Sequence, residues 1–217
     1  PPPPAAALFC APGRRAGGRR RFSADEYEPP LSHVLGWRAR IPPLGVKLGP
    51  GVARDALPAD AEHEFVSLDG ELKEAALWCG PLAPAARRAT VLRSGPGGQH
   101  EAHTLASDAQ DSPPPSLAPQ PAAFLYEPDP AVIRAGLVTD LGERIGAGQL
   151  DPQIAYLTAP AHVATPFARA WPVLTWLPFG LKALRARLRE LGAGEVTVKK
   201  RGSPLDSHAL ARQLSRP

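Results

Sequence analysis

The 217-residue chain contains no methionine and only two cysteines, Cys10 and Cys79. Position 1 is proline, so the sequence is expected to be a processed chain or a fragment of a longer one. The two cysteines lie far apart, with neither a Cys-x-x-Cys spacing nor a histidine at ligand spacing. That excludes a disulfide framework and a cysteine-based zinc module, and two reduced thiols are expected. No run approaches the roughly 18 uncharged apolar residues of a membrane helix. The first ten residues have no basic leader and too short an apolar run for a secretory signal. A cytoplasmic protein with no membrane partner is the expectation. Nucleotide loops are missing too: no G-x-G-x-x-G or P-loop follows a predicted strand.

Catalytic constellations are equally sparse. The histidines are scattered, and none sits beside a serine or cysteine in a nucleophile setting, so no triad can be assembled. His100-Glu-Ala-His103 has an i, i+3 spacing, but it lies in a Gly/Pro-rich stretch and is not read as a ligand pair. No metal site is expected.

Proline is abundant. The chain has 28, where ordinary usage would give about 11. Several occur in runs, Pro1 to Pro4 and Pro113 to Pro115, which reads as unfolded spacer. Net charge is only +4, yet it is unevenly distributed. Arg14, Arg15, Arg19, Arg20 and Arg21 cluster near the start. From Lys182 to Arg216 there are nine Lys/Arg against Glu190, Glu195 and Asp206, a local net charge of +6. Such clustering suits a polyanion such as RNA; a solvated helix face stays open as the alternative.

In chain order, residues 5–9 read as the end of a buried strand followed by a basic loop. Residues 31–39 carry Leu31, Val34 and Leu35 at helical spacing, and Leu44-Gly-Val-Lys-Leu48 is a five-residue strand cut off by Gly49-Pro50-Gly51. Strand, helix and strand of these lengths suit a βαβ unit. Residues 64–68 and 71–78 flank Asp69-Gly70, whose type I′ turn predicts a hairpin. Residues 87–93 form a further strand, ended by Ser94 and the Gly-Pro-Gly-Gly stretch. Residues 108–121 hold nothing able to bury apolar surface, and they are read as the linker between two domains. Beyond it, 124–126 is extended. Asp129-Pro130 opens one helix as N-cap and N1, with Val132, Ile133, Leu137, Leu141 and Ile145 inside and Gly146 closing it. Residues 154–157 and 173–177 are strand candidates, and 181–191 is an amphipathic helix with Arg185, Arg187 and Arg189 on its outer face. A strand over Val196, Thr197 and Val198 then runs into Lys199-Lys200-Arg201-Gly202, a compact place to grip an anion. Asp206 caps a last short helix, 207–214.

Eight segments in order carry a family resemblance. They are Pro29-Pro-Leu-Ser32, Leu44-Gly-Val-Lys-Leu-Gly-Pro-Gly51, Glu64-Phe-Val-Ser-Leu-Asp-Gly70 and Ala75-Ala-Leu-Trp-Cys-Gly80. The others are Tyr126-Glu-Pro-Asp-Pro-Ala-Val-Ile-Arg-Ala-Gly136, Leu150-Asp-Pro-Gln-Ile-Ala-Tyr-Leu157, Thr165-Pro-Phe-Ala-Arg-Ala170 and Val198-Lys-Lys-Arg-Gly-Ser-Pro204. Together they resemble the C-terminal part of bacterial class I S-adenosylmethionine-dependent methyltransferases that end in a THUMP-like domain. The likeness spans most of residues 9–214. It implies the second half of a Rossmann-like methyltransferase sheet, ending in antiparallel strands, over residues 1–107. It further implies an α+β THUMP-like domain over residues 122–217, with its core at about 149–217.

The family binds S-adenosylmethionine through a glycine-rich first half that this chain lacks, so no cofactor is expected on the chain alone. The family's loop after the fourth strand reads Asp-Pro-Ala-Arg-Arg. Pro12, Arg14 and Arg15 match it, while Ala11 stands at the acidic position and puts transfer chemistry on this chain in doubt. The THUMP-like half implies RNA, tRNA or rRNA, and the candidate contacts are Lys199, Lys200, Arg201, Arg185 and Arg189. A fragment of an RNA methyltransferase is the leading expectation. A non-catalytic RNA-binding or scaffold protein is the alternative, and a purely structural domain is a third reading.

Overall fold

The computed structural model describes residues 4–16, 19–21 and 23–215, with the backbone only at 15, 16, 19 and 20. The chain opens with β1 (Leu8–Cys10) and a small ribbon of β2 (Arg15–Ala16) and β3 (Arg19–Arg20). Helix α1 (Leu31–Leu35) follows, prolonged by the 3-10 turn Gly36–Ala39, and leads to β4 (Leu44–Leu48). Next come β5 (Glu62–Leu68), β6 (Glu71–Cys79), β7 (Arg87–Ser94) and β8 (His100–Ser107). After residues 108–121 the order is β9 (Phe124–Pro128), α2 (Pro130–Ala135), α3 (Val138–Ile145), β10 (Gly148–Asp151), β11 (Ile154–Ala159) and β12 (Ala168–Pro172). Helices α4 (Leu181–Glu190) and α5 (Ser207–Leu214) complete it.

Six strands form the first sheet, in the order β1-β4-β6-β5-β7-β8. β1 runs parallel to β4, so the residues that follow both strands meet on one edge. β6 then turns the sheet antiparallel, and β8 closes it antiparallel to β7. The β5–β6 hairpin turns at Asp69 and Gly70, whose φ values of 52° and 83° are the two positive angles that a type I′ turn requires. Along β5, Phe65 and Ser67 face inward together, as period two demands. The second sheet is fully antiparallel, in the order β10-β11-β9-β12.

Three local forecasts are corrected. The helix expected from Asp129 to Gly146 is two helices, α2 and α3. Gly136 adopts a left-handed φ of 71° and ends the first one, after which Leu137 restarts the spiral with the apolar spacing preserved. Residues 100–107, given no element from the sequence, form β8, which covers the edge of β7 along eight residues. His100 and His103 are three apart on this strand and therefore point to opposite faces, so they cannot share a ligand. Finally, neither 173–177 nor 196–198 joins a ladder: the strand here is β12, ending at Pro172, and Val196 N instead donates to Ser215 Oγ at 3.1 Å. Among the described residues these segments have no strand partner, so β-propensity alone did not make them strands.

Two ionic knots join the segments. Asp129 caps α2, accepting from Ala131 N at 2.9 Å, and its Oδ1 also accepts from Ser67 Oγ of β5 at 2.5 Å. Asp129→Ala removes the cap and leaves a buried hydroxyl without its acceptor, a loss of about 2–3 kcal/mol. Urea denaturation reads it as a lower midpoint at unchanged slope. The second knot is Arg87, fully buried at the start of β7. Its guanidinium reaches the proline-rich segment and the α2–α3 junction, donating to the Ala109 carbonyl at 2.6 Å, Ser112 Oγ at 3.1 Å and the Gly136 carbonyl. Residues 108–121 are thus seated by polar contacts, with Ala118 N and Ser116 O also exchanging bonds with Gln149. α2 itself lies against β5 and β7 of the first sheet.

Candidate nucleic-acid interface

At the edge where β1 and β4 end, Ala11 is exposed, Pro12 is buried and Arg14 is half-buried. The Arg15 side chain lies outside the described residues. Arg14 turns toward Gly49: a Cβ there would come within 3.1 Å of Arg14 Nη1 and 2.9 Å of the Tyr27 hydroxyl. Arg14 Nη1 is buried and has no hydrogen-bond partner among the described residues. One guanidinium and one phenol can hold an acidic group, but they cannot enclose an adenosine and a sulfonium. These two groups therefore do not form an S-adenosylmethionine site by themselves.

The basic C-terminal stretch lies against the second sheet. Lys199 Nζ pairs with Glu127 of β9 at 2.5 Å and sits 4.9 Å above the Trp171 ring. Arg201 approaches the same carboxylate at 3.3 Å and stacks 5.4 Å over Tyr156. Aromatic faces and one shared acid thus fix two of the three cations at the sheet surface. Lys200 turns the other way and donates to the Leu205 carbonyl.

Helix α4 has its forecast length, but its leucines are only half-covered and none of its residues is buried. Arg185 donates to the Gln213 carbonyl of α5 at 3.2 and 3.3 Å. With Arg189 and Arg212 it lines an open cleft of about 670 Å³ between the two helices, and no acidic side chain lines that cleft. Asp206 caps α5, and the Ala209 N–H it accepts at 2.6 Å holds its carboxyl below the usual range.

The structure brings together two cations that the sequence did not single out. Arg93, at the end of β7, and Arg169, on β12, line one cavity with Lys199 and Arg201. The Thr-Val-Leu-Arg end of β7 carries no motif, and Arg169 falls inside the Thr165–Ala170 segment with nothing to mark it as a ligand contact; only the packing of the two sheets joins them. The cysteines are free, and burial pushes both thiols up, away from the reactive thiolate. Among the described residues no three His, Cys, Asp or Glu side chains gather as a metal set, and no helix is long and apolar enough to cross a membrane.

Comparison with known proteins fits this architecture. Residues 168–217 match the family model described as THUMP domain-like. Two curated relatives in Mycobacterium tuberculosis, from strains CDC 1551 and H37Rv, are uncharacterized S-adenosylmethionine-dependent methyltransferases. Each is 37% identical over 215 residues, covering 96% of this chain and 56% of the relative. The crystal structure of a presumed methyltransferase from Porphyromonas gingivalis W83 superposes with a TM-score of 0.69 at 18% identity, over 96% of this chain and 53% of that one. The chain is a relative of the S-adenosylmethionine-dependent methyltransferases and ends in a THUMP-like region. It spans little more than half the length of the curated relatives it matches. Its fold is α/β, the antiparallel-ended part of a methyltransferase sheet joined to a small α+β unit.

Proposed function

We propose that this chain is part of an S-adenosylmethionine-dependent methyltransferase acting on RNA, and that its end beyond the proline-rich segment holds the substrate. In this reading residues 1–107 complete the catalytic domain, 108–121 connect, and 122–217 form the RNA-holding unit. The observation that carries it is the concentration of cations on the THUMP-like region: Lys199, Lys200, Arg201, Arg185 and Arg189 lie on one 17-residue stretch with Glu190 and Glu195 as its only acids. THUMP-like regions suggest RNA, and Arg and Lys at this density suit its phosphates. The loop that carries Pro12, Arg14 and Arg15 follows β1 and would serve the reacting end, at the edge where open α/β sheets bind ligands. The methyl group would come from S-adenosylmethionine held by the missing half.

Ala11 favours a second reading. An alanine at the loop's acidic position can neither orient nor accept from a substrate amine, which suits a non-catalytic RNA-binding protein. Both readings require the 217-residue chain to retain bulk tRNA in a salt-dependent way. Filter binding across 50–300 mM salt tests this, and salt-independent or absent retention removes both.

A further inference from the structure

The cavity shared by Arg93, Arg169, Lys199 and Arg201 has a volume of about 300 Å³, at the small end of ligand pockets. Its floor carries two acids, Glu127 and Asp129, against these four cations. Glu127 serves both Lys199 and Arg201. Asp129 is already engaged through Oδ1 by Ser67 and the α2 cap, and its Oδ2 stands 3.7 Å from Arg93, beyond hydrogen-bond range. Arg93 is oriented by donating to the Pro166 carbonyl at 2.8 Å. Arg169 is exposed and has no acidic partner among the described residues, and its Nη2 lies 3.6 Å from where a Gly70 Cβ would be. The cavity lining therefore carries a positive excess of two among the described residues.

We infer that this cavity is a phosphate-binding site. Its donors converge from three separate elements: the end of β7, the start of β12 and the 199–201 segment. A flat carboxylate cannot face three directions at once, whereas a phosphate presents acceptor oxygens on all sides. Three guanidinium forks and an ammonium match that acceptor set. The cavity lining contains no aromatic side chain on which a base could stack, so the phosphate is what it grips. The phosphate belongs to a polynucleotide backbone, a statement that rests on the RNA reading above; the site itself does not.

The test titrates the 217-residue chain with inorganic phosphate, AMP and bulk tRNA by calorimetry. The wild type is compared with Arg169→Glu and with Arg40→Glu, an exposed charge reversal outside the cavity. The Arg169 side chain forms no hydrogen bond with another described residue, while its backbone pairing with β9 does not depend on the side chain, so its replacement is expected to leave the melting temperature unchanged. The expected result is tRNA affinity at least about tenfold weaker in Arg169→Glu, the scale of one lost charge-assisted bond, and near wild type in Arg40→Glu. AMP or inorganic phosphate binding that Arg169→Glu abolishes, without tRNA binding, supports the site and overturns its polynucleotide source together with the RNA reading. Wild-type affinity for every probe in Arg169→Glu overturns the site alone. No binding of any probe by the wild type overturns both.

Discussion

Replacing Arg87 with alanine will lower the unfolding free energy by about 3–5 kcal/mol, the range for breaking a buried ion pair. The reason lies in where its donors go. Beyond the bonds to Ala109, Ser112 and Gly136, Nη2 donates to Ser107 Oγ at 3.0 Å and pairs with Asp140 of α3 at 3.4 Å. Removing the guanidinium leaves the partly buried Asp140 carboxylate without its cation, and the Ala109 carbonyl and the Ser107 and Ser112 hydroxyls without its donors. Burial pulls the Arg87 pKa down while Asp140 pulls it up, so the charged form is held by its partners. Arg87→Lys retains the charge but cannot span five acceptors, and it is expected to recover only a minor part of the loss. Urea denaturation of the three proteins checks this. A loss below about 1 kcal/mol in the alanine variant would mean that the proline-rich segment and α3 are not held through this residue.

The second large effect is on RNA retention. Changing Lys199, Lys200 and Arg201 together to alanine is expected to weaken tRNA binding about 100-fold at low salt. The slope of log affinity against log salt should fall by about 2–3, close to one for each phosphate no longer neutralised. Two of these cations also hold Glu127, so its carboxylate is left uncovered and adds repulsion. Both pairs are solvent-exposed on the cation side, and such pairs contribute little to stability, so the variant should melt near wild type. Unchanged affinity with unchanged slope removes the triplet from the interface.

What could be read from the sequence followed from local rules. Asp69-Gly70, Asp129-Pro130 and Asp206 each write a turn or cap into two adjacent positions, and each forms as expected. β4 was legible because five apolar-rich residues are bounded by Pro43 and Gly49. β8 was not, because only Leu105 of its eight residues is buried; an edge strand is held by backbone bonds to β7 and needs no alternation. The α2–α3 break was masked because Val132, Leu137, Leu141 and Ile145 pack into one core across it, which preserves the helical period through Gly136. The candidate site divided the same way. Lys199, Lys200 and Arg201 are contiguous and visible, whereas Arg93 and Arg169 are 76 positions apart and meet only after the hairpin docks. Arg87 read as a strand residue with a charged side chain, and nothing local marks it as the buried centre of three segments.

The central claim is that this chain holds RNA for a methyl transfer completed by a cofactor half outside it. The direct measurement incubates the complete reading frame with S-adenosylmethionine labelled in its methyl group and, separately, bulk tRNA, rRNA and total protein. The account predicts label in RNA, reduced at least about tenfold by the Lys199/Lys200/Arg201 triple alanine change. Label in protein alone, or RNA labelling indifferent to the triple change, would contradict it.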